Sequence, residues 1–112
     1  MSLKANRFEP IYGIIDVLES ETTLMEFSTI GAEDGVEEAR KRLENVDVLI
    51  VWGRELILGV LSEEHLVRGE FCGSCCELDI LVDPTQKQLS DWRPRFVITT
   101  EDGEPVSVNH GP

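Results

Sequence analysis

The chain has 112 residues, of which 41% are hydrophobic and 29% are charged, a composition typical of one compact globular domain rather than a disordered or fibrous protein. Twenty-two acidic residues against ten Lys and Arg give a net charge of −12, which repels nucleic-acid backbones and anionic membrane surfaces. No stretch reaches the roughly 20 apolar residues of a membrane-spanning helix, and residues 1–9 lack the apolar run of a signal peptide. We therefore expect a single cytoplasmic domain over residues 1–112 that binds neither nucleic acid nor membrane.

Two apolar runs come first and favour a hairpin of strands. Residues 11–18, "IYGIIDVL", are followed by an acidic turn and by residues 22–30, "TTLMEFSTI". In the second run alternate residues share a face, which places Ser28 and Ile30 on the same side of the predicted strand. Either run can also pair with other parts of the chain.

A change of period then predicts an amphipathic helix over residues 32–45, "AEDGVEEARKRLEN". Its acidic residues fall in the first turn and its basic residues, Arg40 to Arg42, in the last turn, as the helix dipole favours. Because the dipole accounts for this basic cluster, the cluster does not indicate nucleic-acid binding.

The most buried part of the sheet is predicted in the middle of the chain. Residues 46–52 and 56–61 are nearly continuous apolar runs separated by a tight polar turn, and both are predicted to be strands. Ser62 is a favourable cap for a second short helix, which Gly69 is placed to end.

The C-terminal part is predicted to extend the sheet over residues 76–109. Residues 76–83 alternate as a strand with Leu78, Ile80 and Val82 facing inward, residues 85–92 form one helical turn, and residues 95–109 form a hairpin. The sequence shows no internal repeat. The mixture predicts an α+β fold with a mixed or antiparallel sheet and two short helices.

Residues 29–69, "TIGAEDGVEEARKRLENVDVLIVWGRELILGVLSEEHLVRG", resemble a CBS domain, the regulatory module named after cystathionine β-synthase. The similarity lies in the helix start "EDGVEEA", the strand pair "VDVLIV" and "LILGVL", and the closing "GVLSEEHL". The family's closing pattern usually ends on Asp, and His65 stands at that position. The resemblance implies a CBS-like β-α-β-β-α core over 29–69 flanked by hairpins.

The resemblance also implies a ligand and an assembly. In adenosine-binding members of the family, the residue corresponding to Ser62 lies near the phosphate and the closing Asp binds the ribose, a contact that His65 would make with different geometry. Thr29 and Ile30 are expected at the opposite edge of this ligand site. Since two such modules normally pair through their sheets and the sequence holds one copy, the resemblance implies a homodimer.

Cys72, Cys75 and Cys76 are all the cysteines of the chain, and three interpretations of them stay open. The C-x-x-C spacing suits a zinc site, although a fourth ligand would have to come from His65 or His110. Buried, unpaired thiols are the commoner case in a cytosolic chain. A redox role is the least favoured, because the neighbouring Glu70 and Glu77 oppose thiolate formation.

No catalytic constellation is recognisable: the chain has no nucleophile elbow, no P-loop and no dinucleotide fingerprint. We therefore expect a noncatalytic, ligand-sensing module of CBS-like form that binds an adenosine-type nucleotide. The alternative is an acidic module that binds a basic protein partner, takes no small ligand, and uses its cysteine cluster for structure or for zinc.

Overall fold

The structure is a computed structural model that describes residues 25–111. The strand predicted over residues 11–18 and the turn after it lie outside the described residues. Among the described residues no helix is long and apolar enough to cross a membrane.

The first half of the described chain forms a strand, a helix and a strand pair. Its elements are β1 (Phe27–Gly31), α1 (Val36–Arg42), β2 (Val48–Gly53) and β3 (Leu56–Leu61). Strand β2 is central, with β1 parallel to it on one side and β3 antiparallel on the other. The predicted helix and strand pair are confirmed, and the sheet is mixed.

Two short helices follow β3. The first is a 3-10 helix, η1 (Glu63–Arg68), which begins after Ser62 as predicted, and the second is the single turn α2 (Cys72–Cys75). The strand predicted over residues 76–83 is therefore wrong in extent: it is confined to β4 (Ile80–Val82).

The inward face predicted for that strand is also wrong at two of its three positions. Leu78 is 68% exposed and Val82 is 39% exposed, whereas Ile80 is half-buried and packs against the core. The physical reason is the path of the chain, because Glu77 forms an isolated bridge with Val60 before β4 begins. The alternation of inward and outward side chains predicted from residue 76 onward therefore does not continue through β4.

The second half repeats the order of the first. Its elements are β4, α3 (Gln86–Asp91), β5 (Phe96–Glu101) and β6 (Glu104–His110). Strand β5 is central, with β4 parallel and β6 antiparallel to it. The predicted helical turn and C-terminal hairpin are confirmed.

The two repeats share backbone hydrogen bonds at corresponding positions as well as the order of their strands. The Asp47 amide donates to the Glu26 carbonyl over 2.9 Å just before β2, and the Arg95 amide donates to the Asp79 carbonyl over 2.9 Å just before β5. Sequence analysis missed this repeat because the matching positions hold different residue types. The two helices also differ, since α1 buries Ala39 and α3 buries no residue.

The two sheets pack face to face, and the helices cover the other face of the first sheet. Successive residues of β2 point to opposite faces, so Val48 and Ile50 pack against the second sheet while Leu49 and Val51 pack against the helices. The second sheet contributes Phe96, Ile98 and Val108 to the shared core. Burial on both faces explains why β2 is a continuous apolar run. Each such side chain contributes roughly 1.5–3 kcal/mol when fully buried.

The two hairpin turns differ in how well their residues suit them. Each has two residues in the left-handed region: Arg54 (φ 51°) and Glu55 (φ 67°) in the first, Asp102 (φ 54°) and Gly103 (φ 82°) in the second. Asp-Gly is a preferred pair for such turns. Arg-Glu is not, because a side chain in this conformation costs roughly 1–2 kcal/mol per residue. The first turn is therefore strained and the second is not.

Gly59 is required where the segment after α2 crosses β3. A Cβ at this position would lie 2.4 Å from the Glu77 carbonyl oxygen and 2.8 Å from Cys76 Sγ.

We predict that Gly59→Ala lowers the free energy of unfolding by about 1–3 kcal/mol, the usual effect of overpacking a core. Urea denaturation measures it, with Gly35→Ala as control because its Cβ would meet nothing closer than 3.8 Å. Equal stability of the two variants would contradict the prediction.

Candidate functional site

Ser62 and His65 form a closed local structure at the end of β3. The Ser62 amide donates a hydrogen bond to His65 Nδ1 over 3.0 Å, and the Ser62 hydroxyl oxygen lies 2.9 Å from the same nitrogen. The imidazole thus reaches back to the residue that caps η1, as the side chain three residues into a helix commonly does. Because Nδ1 accepts from the backbone, the neutral ring carries its proton on Nε2.

Glu77, in the segment after α2, lies beside the other edge of the imidazole and connects it to Arg95. Glu77 Oε1 is 3.8 Å from His65 Nε2 and 3.4 Å from Arg95 Nη1. His65 belongs to the first repeat and Arg95 immediately precedes β5 of the second. We call Ser62, His65, Glu77 and Arg95 the junction network, since these side chains connect the two repeats.

His65 is fully buried, and the surrounding protein keeps it neutral. Loss of solvation on burial lowers the pKa of His65 below its ordinary value of 6.5, and nearby Arg68 lowers it further. Glu64 and Glu77 act in the opposite direction but do not reverse the effect. Among the described residues, no acceptor lies within hydrogen-bonding distance of Nε2.

The predicted contacts Thr29 and Ile30 lie on β1, away from the junction network. Ile30 is 3% exposed and packs in the core between the first sheet and the helices. Thr29 is half-buried, and its carbonyl accepts a hydrogen bond from the Arg42 guanidinium. The register pairs Thr29 with Ile50, which in turn pairs with Val60, two residues before Ser62. The structure brings Ser62 and His65 together and leaves Thr29 and Ile30 outside that pair.

The three cysteines are buried and unpaired around α2. Each thiol faces a backbone carbonyl: Cys72 that of Gly35, Cys75 that of Cys72, and Cys76 that of Gly73. Burial raises the pKa of all three, that of Cys72 to about 11. Over residues 25–111 no three His, Cys, Asp or Glu side chains are grouped so as to hold a metal ion. This geometry gives no support to the zinc interpretation, which stays a prediction.

An open cavity of about 440 Å³ lies at the opposite end of the first sheet, beside the turn between β2 and β3. Its walls include Trp52, Leu56 and Leu58, together with the charged residues Glu33 and Arg54. Sequence analysis did not identify this cavity, nor did it include Glu77 and Arg95 in a site. The one signal for the cavity was Arg-Glu in a two-residue turn, where Asn-Gly or Asp-Gly is usual.

No protein-family model matches the chain, and no curated protein matches it. Three solved structures share its fold. OpuCA of Staphylococcus aureus matches with a TM-score of 0.54 and 18% identity over 78% of this chain and 87% of that chain. The CBS domain NE2398 matches at 0.52 and 18%, covering 75% and 81%. A putative signal-transduction protein with CBS domains from Burkholderia ambifaria MC40-6 matches at 0.52 and 15%, covering 76% of each chain.

The chain has the fold of CBS domains, as its resemblance over residues 29–69 predicted. The likeness extends beyond that block to about three quarters of the chain, so it includes part of the segment that the sequence presented as a C-terminal extension. The face of the first sheet on which a second module would pack is covered by the second sheet of the same chain. Since this face is already covered within one chain, a homodimer is not needed to bury it, and the homodimer stays a prediction.

Acid should weaken the fold through His65. Because the folded-state pKa is below the unfolded value, the unfolded chain takes up the proton first as the pH falls below about 6.5, and stability is lost by up to about 1.4 kcal/mol per pH unit. We predict that His65→Asn shows a smaller loss between neutral and mildly acidic pH in urea denaturation. His110→Asn, which changes an exposed histidine, should lose stability as the unsubstituted chain does. Parallel profiles for the unsubstituted chain and His65→Asn would contradict the prediction.

The cysteines should be unreactive in the folded protein. At mildly alkaline pH a buried thiol with a raised pKa carries little thiolate, so a thiol-specific reagent should modify all three only after denaturant is added. Cobalt(II) should produce no sulfur-to-metal charge-transfer band. Rapid modification of the native chain would contradict the prediction, and a charge-transfer band would support the zinc interpretation.

Proposed function

We propose that the chain is a noncatalytic regulatory module that senses an adenosine-type nucleotide at the junction network. The observation that carries the proposal is the arrangement of Ser62, His65, Glu77 and Arg95 where two repeats of one β-α-β-β unit meet. A ligand held there touches both halves, so its binding free energy depends on how the halves are placed relative to each other. This dependence is what a regulatory module needs.

Ser62 and Arg95 are the groups suited to a phosphate. The Ser62 side chain is half-buried and offers a hydroxyl, and the Arg95 side chain is 52% exposed and offers a guanidinium. In a chain of net charge −12, a local cation is needed to offset the repulsion of an anionic ligand. Arg95 Nη1 lies 3.4 Å from Glu77 Oε1, which is long for a hydrogen bond between charged groups. A phosphate oxygen can therefore replace this contact.

His65 acts in this proposal by positioning Ser62. The ring is fully buried and its Nδ1 is engaged by the Ser62 amide and hydroxyl, so it fixes the rotamer of the serine that faces the ligand. A histidine therefore replaces the carboxylate expected from the CBS pattern without itself contacting the ribose. The contacts predicted for Thr29 and Ile30 stay predictions, since both residues lie on β1, away from the junction network.

Calorimetric titration with AMP, ADP, ATP and adenosine tests the proposal. We predict that at least one nucleotide binds and that Ser62→Ala weakens it roughly tenfold or more, the effect of losing a hydrogen bond to a charged group. Ser90→Ala is the matched control, because Ser90 lies on α3 and its hydroxyl bonds only the Lys87 carbonyl among the described residues.

Two results would overturn the proposal. If none of the four compounds binds, the acidic protein-interaction module is favoured. A complex with a basic protein that is lost at high salt would then support that module. Equal affinities of Ser62→Ala and Ser90→Ala for a bound nucleotide would place the ligand away from the junction network.

A further inference from the structure

We propose that the cavity beside the first hairpin turn is a second ligand site, which takes a small zwitterion of the amino-acid class with an apolar side chain. The cavity volume of about 440 Å³ falls in the range of roughly 300–1,000 Å³ that small-molecule sites occupy. It is separate from the junction network, since it adjoins the β2–β3 turn whereas Ser62 follows the opposite end of β3.

The apolar part of the cavity fits an aliphatic or aromatic side chain. Trp52 is half-buried at the end of β2, where it lines the cavity and also packs against the core between the two sheets, while Leu56 is 64% exposed and Leu58 is half-buried on the neighbouring strand. An exposed leucine beside a tryptophan leaves apolar surface in water, which a bound apolar group would cover.

The charged part of the cavity carries both signs. Arg54 supplies a guanidinium, which pairs with no carboxylate among the described residues and suits the carboxylate of a ligand. Glu33 and Asp34 supply carboxylates; Asp34 Oδ2 accepts from the Gly31 amide over 3.0 Å, and its other oxygen takes no part in that bond. A purely anionic ligand would be repelled by the two acids, and a purely cationic ligand would be repelled by Arg54. A zwitterion is the class that satisfies both.

The strained turn gives a reason to regard Arg54 as retained for binding. At the corresponding place in the second repeat, the turn holds Asp102 and Gly103, which suit the left-handed conformation. The first turn holds Arg54 and Glu55 in the same conformation, although glycine would be more stable there. Of these two residues only Arg54 lines the cavity, so its side chain is the one with a use that glycine could not supply.

Trp52 fluorescence reports occupancy directly. Trp92, the other tryptophan, is 58% exposed in the second half, so Trp92→Phe leaves Trp52 as the sole emitter. We expect L-leucine or L-phenylalanine at up to millimolar concentration to change the Trp52 emission in a saturable way. Leucinamide, which lacks the carboxylate, and 4-methylpentanoate, which lacks the ammonium, should each bind at least tenfold more weakly than leucine.

Two glycine substitutions separate the binding role from the folding role. Arg54→Gly and Glu55→Gly each relieve one left-handed residue, so both should raise the melting temperature. Only Arg54→Gly should weaken leucine binding by tenfold or more, because Glu55 does not line the cavity. Ser90→Ala should leave leucine binding unchanged, because Ser90 on α3 belongs neither to the cavity nor to the junction network.

Several results would overturn the inference. The first is that neither amino acid changes the Trp52 emission in a saturable way. The second is that leucine and its two singly charged analogues bind equally well, and the third is that Arg54→Gly and Glu55→Gly bind leucine equally well. Equal binding of the analogues would show that the cavity accepts any apolar group, and equal binding by the two variants would show that Arg54 has no part in it.

Discussion

The structure depends on the burial of strand β2 on both faces. Val48 and Ile50 pack against the second sheet, and Leu49 and Val51 pack against the helices, so one strand holds three layers together. All four side chains are at most 1% exposed. Without the second sheet, the apolar face that carries Val48 and Ile50 would meet water. The second repeat is therefore part of the core that stabilises the first, even though α3 buries no residue of its own.

The junction network gives this packing a polar counterpart. The segment after α2 crosses β3 so closely that Gly59 has no room for a Cβ, and the same crossing brings Glu77 beside His65. Desolvation then keeps the imidazole neutral, which leaves Nδ1 free to accept from Ser62. Gly59 and His65 of the segment "GVLSEEH" thus act together with Glu77, and none of the three can be understood from its own residue type alone.

Much of the fold was predictable from local patterns, whereas the arrangement of the two halves was not. The periods of α1, β2, β3 and the C-terminal hairpin are strong because each element buries a continuous or alternating apolar set. The alternation over residues 76–83 predicts a longer strand than the structure contains, because an isolated bridge at Glu77 comes between the end of α2 and β4. Of the candidate site residues, Ser62 and His65 were predicted from the resemblance to CBS domains, whereas Glu77 and Arg95 join them only through tertiary contacts.

Strand β3 relates the two ends of the first sheet. Its first residue, Leu56, lines the cavity, and its last residue, Leu61, precedes Ser62 of the junction network. Between these two residues, Val60 forms two backbone hydrogen bonds with Glu77, of 3.0 and 2.8 Å. The middle of β3 is therefore held against the segment that carries Glu77, the residue that faces His65 and Arg95. The same strand thus places the cavity and the junction network at opposite ends of the first sheet, which separates the two proposed sites in space.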